Sequence, residues 1–211
     1  MTTFQTPEPI ALAIELGSAD ITVIASDRTD TIVEVKPADA AKKADVRAAE
    51  QTEVSFADGT VSVKAPKNWR AHAPFGGNPS LAVTVRVPSG SQVNAHAAVG
   101  HLVGIGPLGD SELELSMGTI VVEQPQGSVT AKIAKGDIHI GEAARGVLRL
   151  EVSTGEIEVG IHPGSAARLE TNTPKGAVHN QLAPAAGAQD TVDIQARNAC
   201  GNITIRNTVT V

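Results

Sequence analysis

From Gln92 onward the chain alternates apolar and polar residues, and glycine interrupts the alternation at near-regular intervals. A Gly-x-apolar-x-apolar unit stands at Gly118 (GTIVV), Gly136 (GDIHI), Gly155 (GEIEV) and Gly201 (GNITI), with weaker copies at Gly100 (GHLVG) and Gly176 (GAVHN). Successive glycines are 18, 18, 19, 21 and 25 residues apart. Two residues after each glycine come Leu102, Ile120, Ile138, Ile157, Val178 and Ile203. The positions four after, and three, five and seven before, follow the same rule. Of the 30 positions in these five columns, 24 are apolar; the exceptions are Gly104, Ser111, Thr171, Thr173, Asn180 and Asn198. In the four intervening columns only Val103, Val121 and Ala177 are apolar. A period of two on both sides of the glycine predicts two half-buried strand arms, which a helical period would not produce.

Each repeat therefore reads as strand, glycine bend, strand, turn, with turns such as EQPQGS and GIHPGS carrying the Pro and Gly that reverse a chain. One such unit cannot bury its apolar face alone, whereas stacked units join their faces into a continuous core. The expected fold is all-β, a parallel β-helix-like β-solenoid of about six rungs from Gly100 to Gly201, stacked in chain order to roughly 29 Å. The six glycines Gly100, Gly118, Gly136, Gly155, Gly176 and Gly201 are its structural positions.

Residues 1–80 read as an irregular β layer covering the first rung, and 81–211 as the solenoid, together one continuous domain. PIALAIELGSADITVIAS predicts two strands around Gly17, TIVEVKP a third, and TEVSFADGTVSVKAP a hairpin turning at Asp58-Gly59. DAAKKADVRAAEQ, Asp39 to Gln51, is the one predicted helix. PKNWRAHAPFGGNPS reads as a loop, and SLAVTVRVPSGSQV leads into the rungs.

Composition agrees with thin layers. Of 211 residues 41% are hydrophobic but only 2% aromatic, with no Tyr and one Trp, so the core must be built from Val, Ile, Leu and Ala. The net charge of −6 and dispersed Lys and Arg speak against nucleic-acid binding. No apolar run approaches the ~20 residues of a membrane helix, so no membrane insertion is expected. The N-terminus lacks a basic start, a long apolar stretch and a small-residue cleavage site, which predicts a cytoplasmic protein. The single cysteine, Cys200, excludes an internal disulfide and fits a reducing compartment.

The VTVRVPSGS lead-in followed by GxIxV rungs, as in STGEIEVG and ACGNITIRN, resembles the bacterial β-strand-repeat family of adhesin-like proteins, a domain of otherwise unknown function. The opening TPEPIALAIELGSADITVIASDRTDTIVEVKP looks like its cytoplasmic-type actinobacterial members. The resemblance covers nearly the whole chain. It implies a right-handed or irregular β-solenoid with no established catalytic residues.

Catalytic signatures are missing. The sequence contains no Gly-x-Ser-x-Gly elbow, no phosphate loop and no paired-cysteine zinc pattern. A glycosidase needs two carboxylates at a defined separation, and no column supplies such a pair with a clear purpose. Catalytic residues, cofactors and enzymatic activity are thus not expected. Cys200 reads as a small residue at a bend.

If rungs stack in chain order, the column three after each glycine places His139, Glu158 and His179 on successive rungs, beside Asp137 and Glu156. Two imidazoles and carboxylates at that spacing could ligate a divalent metal. A solvated face, with Glu158 relieving repulsion between two histidines, is the plainer reading. On the other arm, the columns Glu114–Lys132–Glu151 and Glu112–Thr130–Arg149–Glu170 read as register control, because a slip brings like charges together.

The function these features support is a non-enzymatic scaffold or binding module with a protein partner. The alternative is self-association end to end, as in bactofilin filaments of similar rung length, through an uncapped last segment NACGNITIRNTVTV ending on Val209 and Val211.

Overall fold

The structure, a computed structural model, describes residues 1–65, 79–183 and 188–208. It is all-β apart from one helix, with fifteen strands joined in one mixed sheet. The PKNWRAHAPFGGNPS segment, except its last two residues, lies outside the described residues, as do Val209 and Val211.

Four strands are long and run through both arms of a repeat: β2 (Ala11–Ser26), β7 (Gln92–Leu108), β8 (Ser111–Pro125) and β9 (Val129–Ala143). The later repeats break at the bend into a first and a second arm: β10 (Gly146–Thr154) with β11 (Ile157–Ile161), β12 (Ser165–Asn172) with β13 (Val178–Gln181), and β14 (Asp190–Cys200) with β15 (Ile203–Asn207). Near the N-terminus lie β1 (Thr2–Gln5), β3 (Asp30–Pro37), β4 (Glu53–Ala57), β5 (Thr60–Lys64) and β6 (Ser80–Pro88).

The repeats pair in parallel and in register. Gly100 stands opposite Gly118 and Gly118 opposite Gly136, with Leu102, Ile120 and Ile138 aligned beside them. The order beyond that point corrects the expected one. β10 pairs with β14, not β12, and β11 pairs with β15, while β12 and β13 lie outside β14 and β15. The Gly201 repeat is therefore inserted between the Gly155 and Gly176 repeats. The N-terminal end shows the same exchange: β2 sits between β7 and the layer formed by β5 and β6, although it precedes all three in the chain. β2 is a full two-armed strand, not two strands around Gly17. At each end the outermost repeat in sequence is thus placed one layer inward. Beyond β5 and β6 the pairing turns antiparallel, through β4 on one arm and β3 and β1 on the other.

Burial accounts for the exchange at the C-terminal end. Val192, Ile194, Ala196, Ile203 and Ile205 of the last repeat are all buried, at no more than 1% exposure. The Gly176 repeat offers Thr171, Thr173 and Asn180 at its inward positions. An end layer is covered on one side only, so the more polar repeat costs least there. The free edge is accordingly formed by β12 and β13; Ile203–Asn207, expected to form an uncapped end, is an inner strand.

The inward columns form one apolar cluster from Ile10 to Ile205. One column alternates large and small residues, Ile14–Ala95–Leu113–Ala131–Leu150–Ala196, which lets successive layers interdigitate without aromatic side chains. At Gly104 the Leu108 side chain fills the vacated space.

The outward face of the first arms carries a continuous column in which acidic residues alternate with Lys, His or Arg. In pairing order it runs Glu53, Lys64, Glu15, His96, Glu114, Lys132, Glu151, Arg197. Lys64 approaches Glu15 at 3.5 Å and His96 approaches Glu114 at 3.2 Å. The expected Glu114–Lys132–Glu151 ladder is part of it. The neighbouring column differs from expectation, since Gln195 separates Arg149 from Glu170. Each exposed pair contributes about 0–1 kcal/mol, but a shift by one layer would put like charges side by side along the whole column.

The hairpin forms at Asp58 and Gly59, both at positive φ (50° and 73°). The helix α1 is Lys43–Gln51, shorter than expected at its start. Asp39 to Lys42 instead makes a turn, in which Asp39 accepts from the Ala41 amide. Buried Asp45 accepts from the backbone amides of Asp39 and Ser80 at 3.2 and 3.1 Å, tying α1 to the start of β6. Among the described residues no helix is long and apolar enough to cross a membrane.

The bend itself depends on glycine. Gly136 has φ 135°, and a Cβ there would fall on the carbonyl oxygen of Gly118 in the adjacent layer. Gly59 also has positive φ, but a Cβ there meets nothing within 4 Å. Gly136→Ala therefore loses about 3–5 kcal/mol, strain and overlap together, while Gly59→Ala loses about 1–2 kcal/mol from strain alone. Urea unfolding of both variants measures the difference.

Candidate functional site

Beyond the bend, the second arms present their own outward columns. One position after the bend residues Ala19, Gly136, Gly155 and Gly201, acidic and amide side chains reach across layers to backbone amides. Asp20 accepts from the amide of His101 (3.1 Å), Asp137 from Glu156 (2.8 Å), Glu156 from Asn202 (3.1 Å) and Asn202 from Ala177 (2.9 Å). These amides follow the bend, where the ladder of backbone hydrogen bonds is interrupted, and an unpaired amide is costly. Asp137 and Glu156, the carboxylates beside the candidate column, thus serve the backbone.

The next outward column contains the candidate ligands His139, Glu158 and His179. It runs Thr22, Val103, Val121, His139, Glu158, Thr204, His179. His139 and Glu158 are neighbours, with Nδ1 3.4 Å from the carboxylate. His179 is not the next layer after Glu158; the inserted repeat puts Thr204 between them. What the structure adds to Glu158 is Arg206, whose Nε and Nη2 both donate to Oε1 at 2.8 Å. One carboxylate oxygen faces the guanidinium and the other faces His139, so the group closes on itself. Among the described residues no three His, Cys, Asp or Glu side chains gather as a metal would require. Arg206 lies five positions after Gly201, outside the columns that carry the repeat, and only the exchanged order of repeats brings it beside Glu158.

The other half of this face is apolar. Val103 and Val121 adjoin Thr22 in the column, and Ile24 pairs with Ile105 one step outward on the same face. All five are half-buried. Val99 and Met117, adjacent layers at the bend, are 43% and 47% exposed. The second arms of β2, β7 and β8 therefore carry an outward apolar patch in positions that alternation reserves for polar groups. Val103 and Val121 already stand out in the sequence as exceptions; Ile24 and Ile105 do not, because their column lies beyond the repeat.

Such a face offers shape and apolar area for docking, and a carboxylate held between a guanidinium and an imidazole at one side. No protein-family model matches the sequence. No curated protein matches it either. Solved structures of similar form include a "putative cell adhesion protein" from Clostridium sporogenes (8% identity, TM-score 0.49, 98% of each chain covered). A "putative adhesin" from Bacteroides fragilis is similar over 98% of this chain and 95% of its own (11% identity, TM-score 0.46). A "putative lipid binding protein" from Parabacteroides distasonis covers 99% of this chain and 94% of its own (12% identity, TM-score 0.37).

The Arg206 guanidinium, donating to Glu158, holds its carboxyl below the ordinary 4.5 against the opposing effect of burial, with a lesser lowering contribution from His139. A depressed carboxylate contributes stability above its unfolded value and loses it as pH falls through the folded one. Arg206→Met therefore moves the Glu158 titration up toward 4.5 in an NMR pH series. Glu158→Gln flattens the fall in melting temperature below pH 4.5.

Proposed function

We propose that the chain is a non-enzymatic β-solenoid acting as a binding or scaffold module, with a protein partner docked on the second-arm face of β2, β7 and β8. The parallel in-register layers support the solenoid reading. From β7 to β11 each repeat returns the chain to the same register one layer on, and the last two repeats keep that register in exchanged order, with the apolar columns turned inward.

The observation that carries the binding reading is the outward patch of Val103, Val121, Ile24 and Ile105. Branched apolar pairs on an outward sheet face add only about 0.2–1 kcal/mol each to the sheet itself, and a clustered apolar surface rimmed by polar groups is the usual mark of a contact region. The first-arm face, by contrast, is consumed by its own charge ladder and offers a partner little unpaired charge. The partner that fits presents an apolar strip to the patch.

Val121→Asp places a charge at the centre of the patch without touching the core. In cross-linking capture with the full chain, proteins held by the wild type are lost roughly tenfold or more in Val121→Asp and in Val103→Asp, as expected for a central contact. They are retained in Glu112→Gln on the opposite face. Capture that is equal in all four proteins would overturn the reading.

A further inference from the structure

The two ends of the stack are built differently. At the N-terminal end, antiparallel strands β4, β3 and β1 follow the last parallel layer. At the other end the last layer is β12 and β13, and among the described residues nothing pairs with their outer edges. Such an edge presents a row of free backbone donors and acceptors and is ordinarily blunted by an inward-pointing polar residue, a proline or a bulge.

β13 is blunted in this way. Asn180 occupies an inward position, aligned with buried Ile205, and its side chain accepts from the Leu182 amide. β12 is not. Its inward residues are Ala167, Leu169 and Thr171, aligned with buried Val192, Ile194 and Ala196. They remain half-buried, so the apolar column ends uncovered, and Ala167, Leu169 and Leu182 line an open hollow at this end of the stack.

The outward residues of β12 show what fits the edge. They are Ala166, Arg168, Glu170 and Asn172. If a second β12 pairs antiparallel about a two-fold axis through Leu169, Arg168 stands opposite Glu170 of the partner copy, and the same pair repeats on the other side of the axis. Leu169 then faces Leu169, and Ala167 faces Thr171. Centring the axis on Arg168 or Glu170 instead puts like charges opposite each other, and centring it between residues sets inward positions against outward ones. The Arg168 side chain is 82% exposed and only loosely held by Asp193 at 3.4 Å, so it is free to turn to a new partner. We propose that two copies of this chain associate end to end through antiparallel pairing of their β12 edges, centred on Leu169, into a closed two-fold dimer. The contact uses the β12 edge of both copies about one two-fold axis, so growth through that edge closes at two.

The test is the mass of the full chain by light scattering and sedimentation over a roughly hundredfold dilution, where mass action separates dimer from monomer. The expected result is a monomer–dimer equilibrium reaching twice the 21.6 kDa chain mass and going no further. Glu170→Arg, at a position whose register partner within the chain is the uncharged Gln195, sets Arg against Arg twice and weakens the dimer roughly ten- to hundredfold. Combining it with Arg168→Glu restores the pairs and the dimer, with circular dichroism confirming that each variant is folded. Leu169→Cys in a Cys200→Ser background cross-links under mild oxidation, because opposed residues of an antiparallel pair lie about 4.5–5.5 Å apart at Cα, within disulfide reach. A monomer at every concentration overturns the proposal, as does a mass that keeps rising, which would mean head-to-tail growth. A dimer indifferent to Glu170→Arg and not cross-linked through position 169 also overturns it, by placing the contact on another face.

Discussion

Everything in this molecule rests on how closely one layer lies on the next at the bend. Strands paired in a sheet sit about 4.8 Å apart, and at the bend the carbonyl oxygen of one glycine occupies the space where a Cβ of the next would stand. The column runs Ala19, Gly100, Gly118, Gly136, Gly155, Gly201, Gly176, each glycine resting on the carbonyl of the member before it. Only the first member, with no earlier bend to rest on, carries a side chain. The glycines thus set the pitch, and the amides left without a ladder partner after the bend are collected by Asp20, Asp137, Glu156 and Asn202.

Once the pitch is set, each arm solves a different problem. The first arms hold the register: alternating charge from Glu53 to Arg197 penalises any slip by one layer, and the large–small alternation inside does the same sterically. The second arms are freer. Their outward column changes character along the stack, apolar through Val103 and Val121 and then ionic through His139, Glu158 and Arg206. A surface that need not hold register is available for contact with something else.

Insertion of the outermost repeats has a mechanical consequence. β2 and β14–β15 are each held between two parallel neighbours, so neither repeat run ends in its own outermost segment. Detaching either of these repeats breaks two ladders, not one. The edge left over belongs to a repeat in mid-sequence, whose Thr171, Thr173 and Asn180 tolerate water.

Period-two alternation and the recurring glycine determined, from the sequence alone, the all-β class, the two-armed repeat, its bend residues and the inward columns, because side-chain direction in a strand follows from position and needs no tertiary information. The Asp58-Gly59 hairpin and the Glu114–Lys132–Glu151 ladder were legible for the same local reason. Which repeat lies on which was decided only by the tertiary structure. Chain order is the simplest assumption, but the energy depends on which apolar positions are covered on both sides. The polar residues Thr171, Thr173 and Asn180 concentrated in one repeat were the available signal that it belongs at an end. That exchange separated His179 from Glu158, brought Arg206 to it, and moved the free edge from the last strand to β12. Ile24 and Ile105 acquire meaning only once β2 lies beside β7, since a patch is a property of neighbouring layers and no single strand contains it.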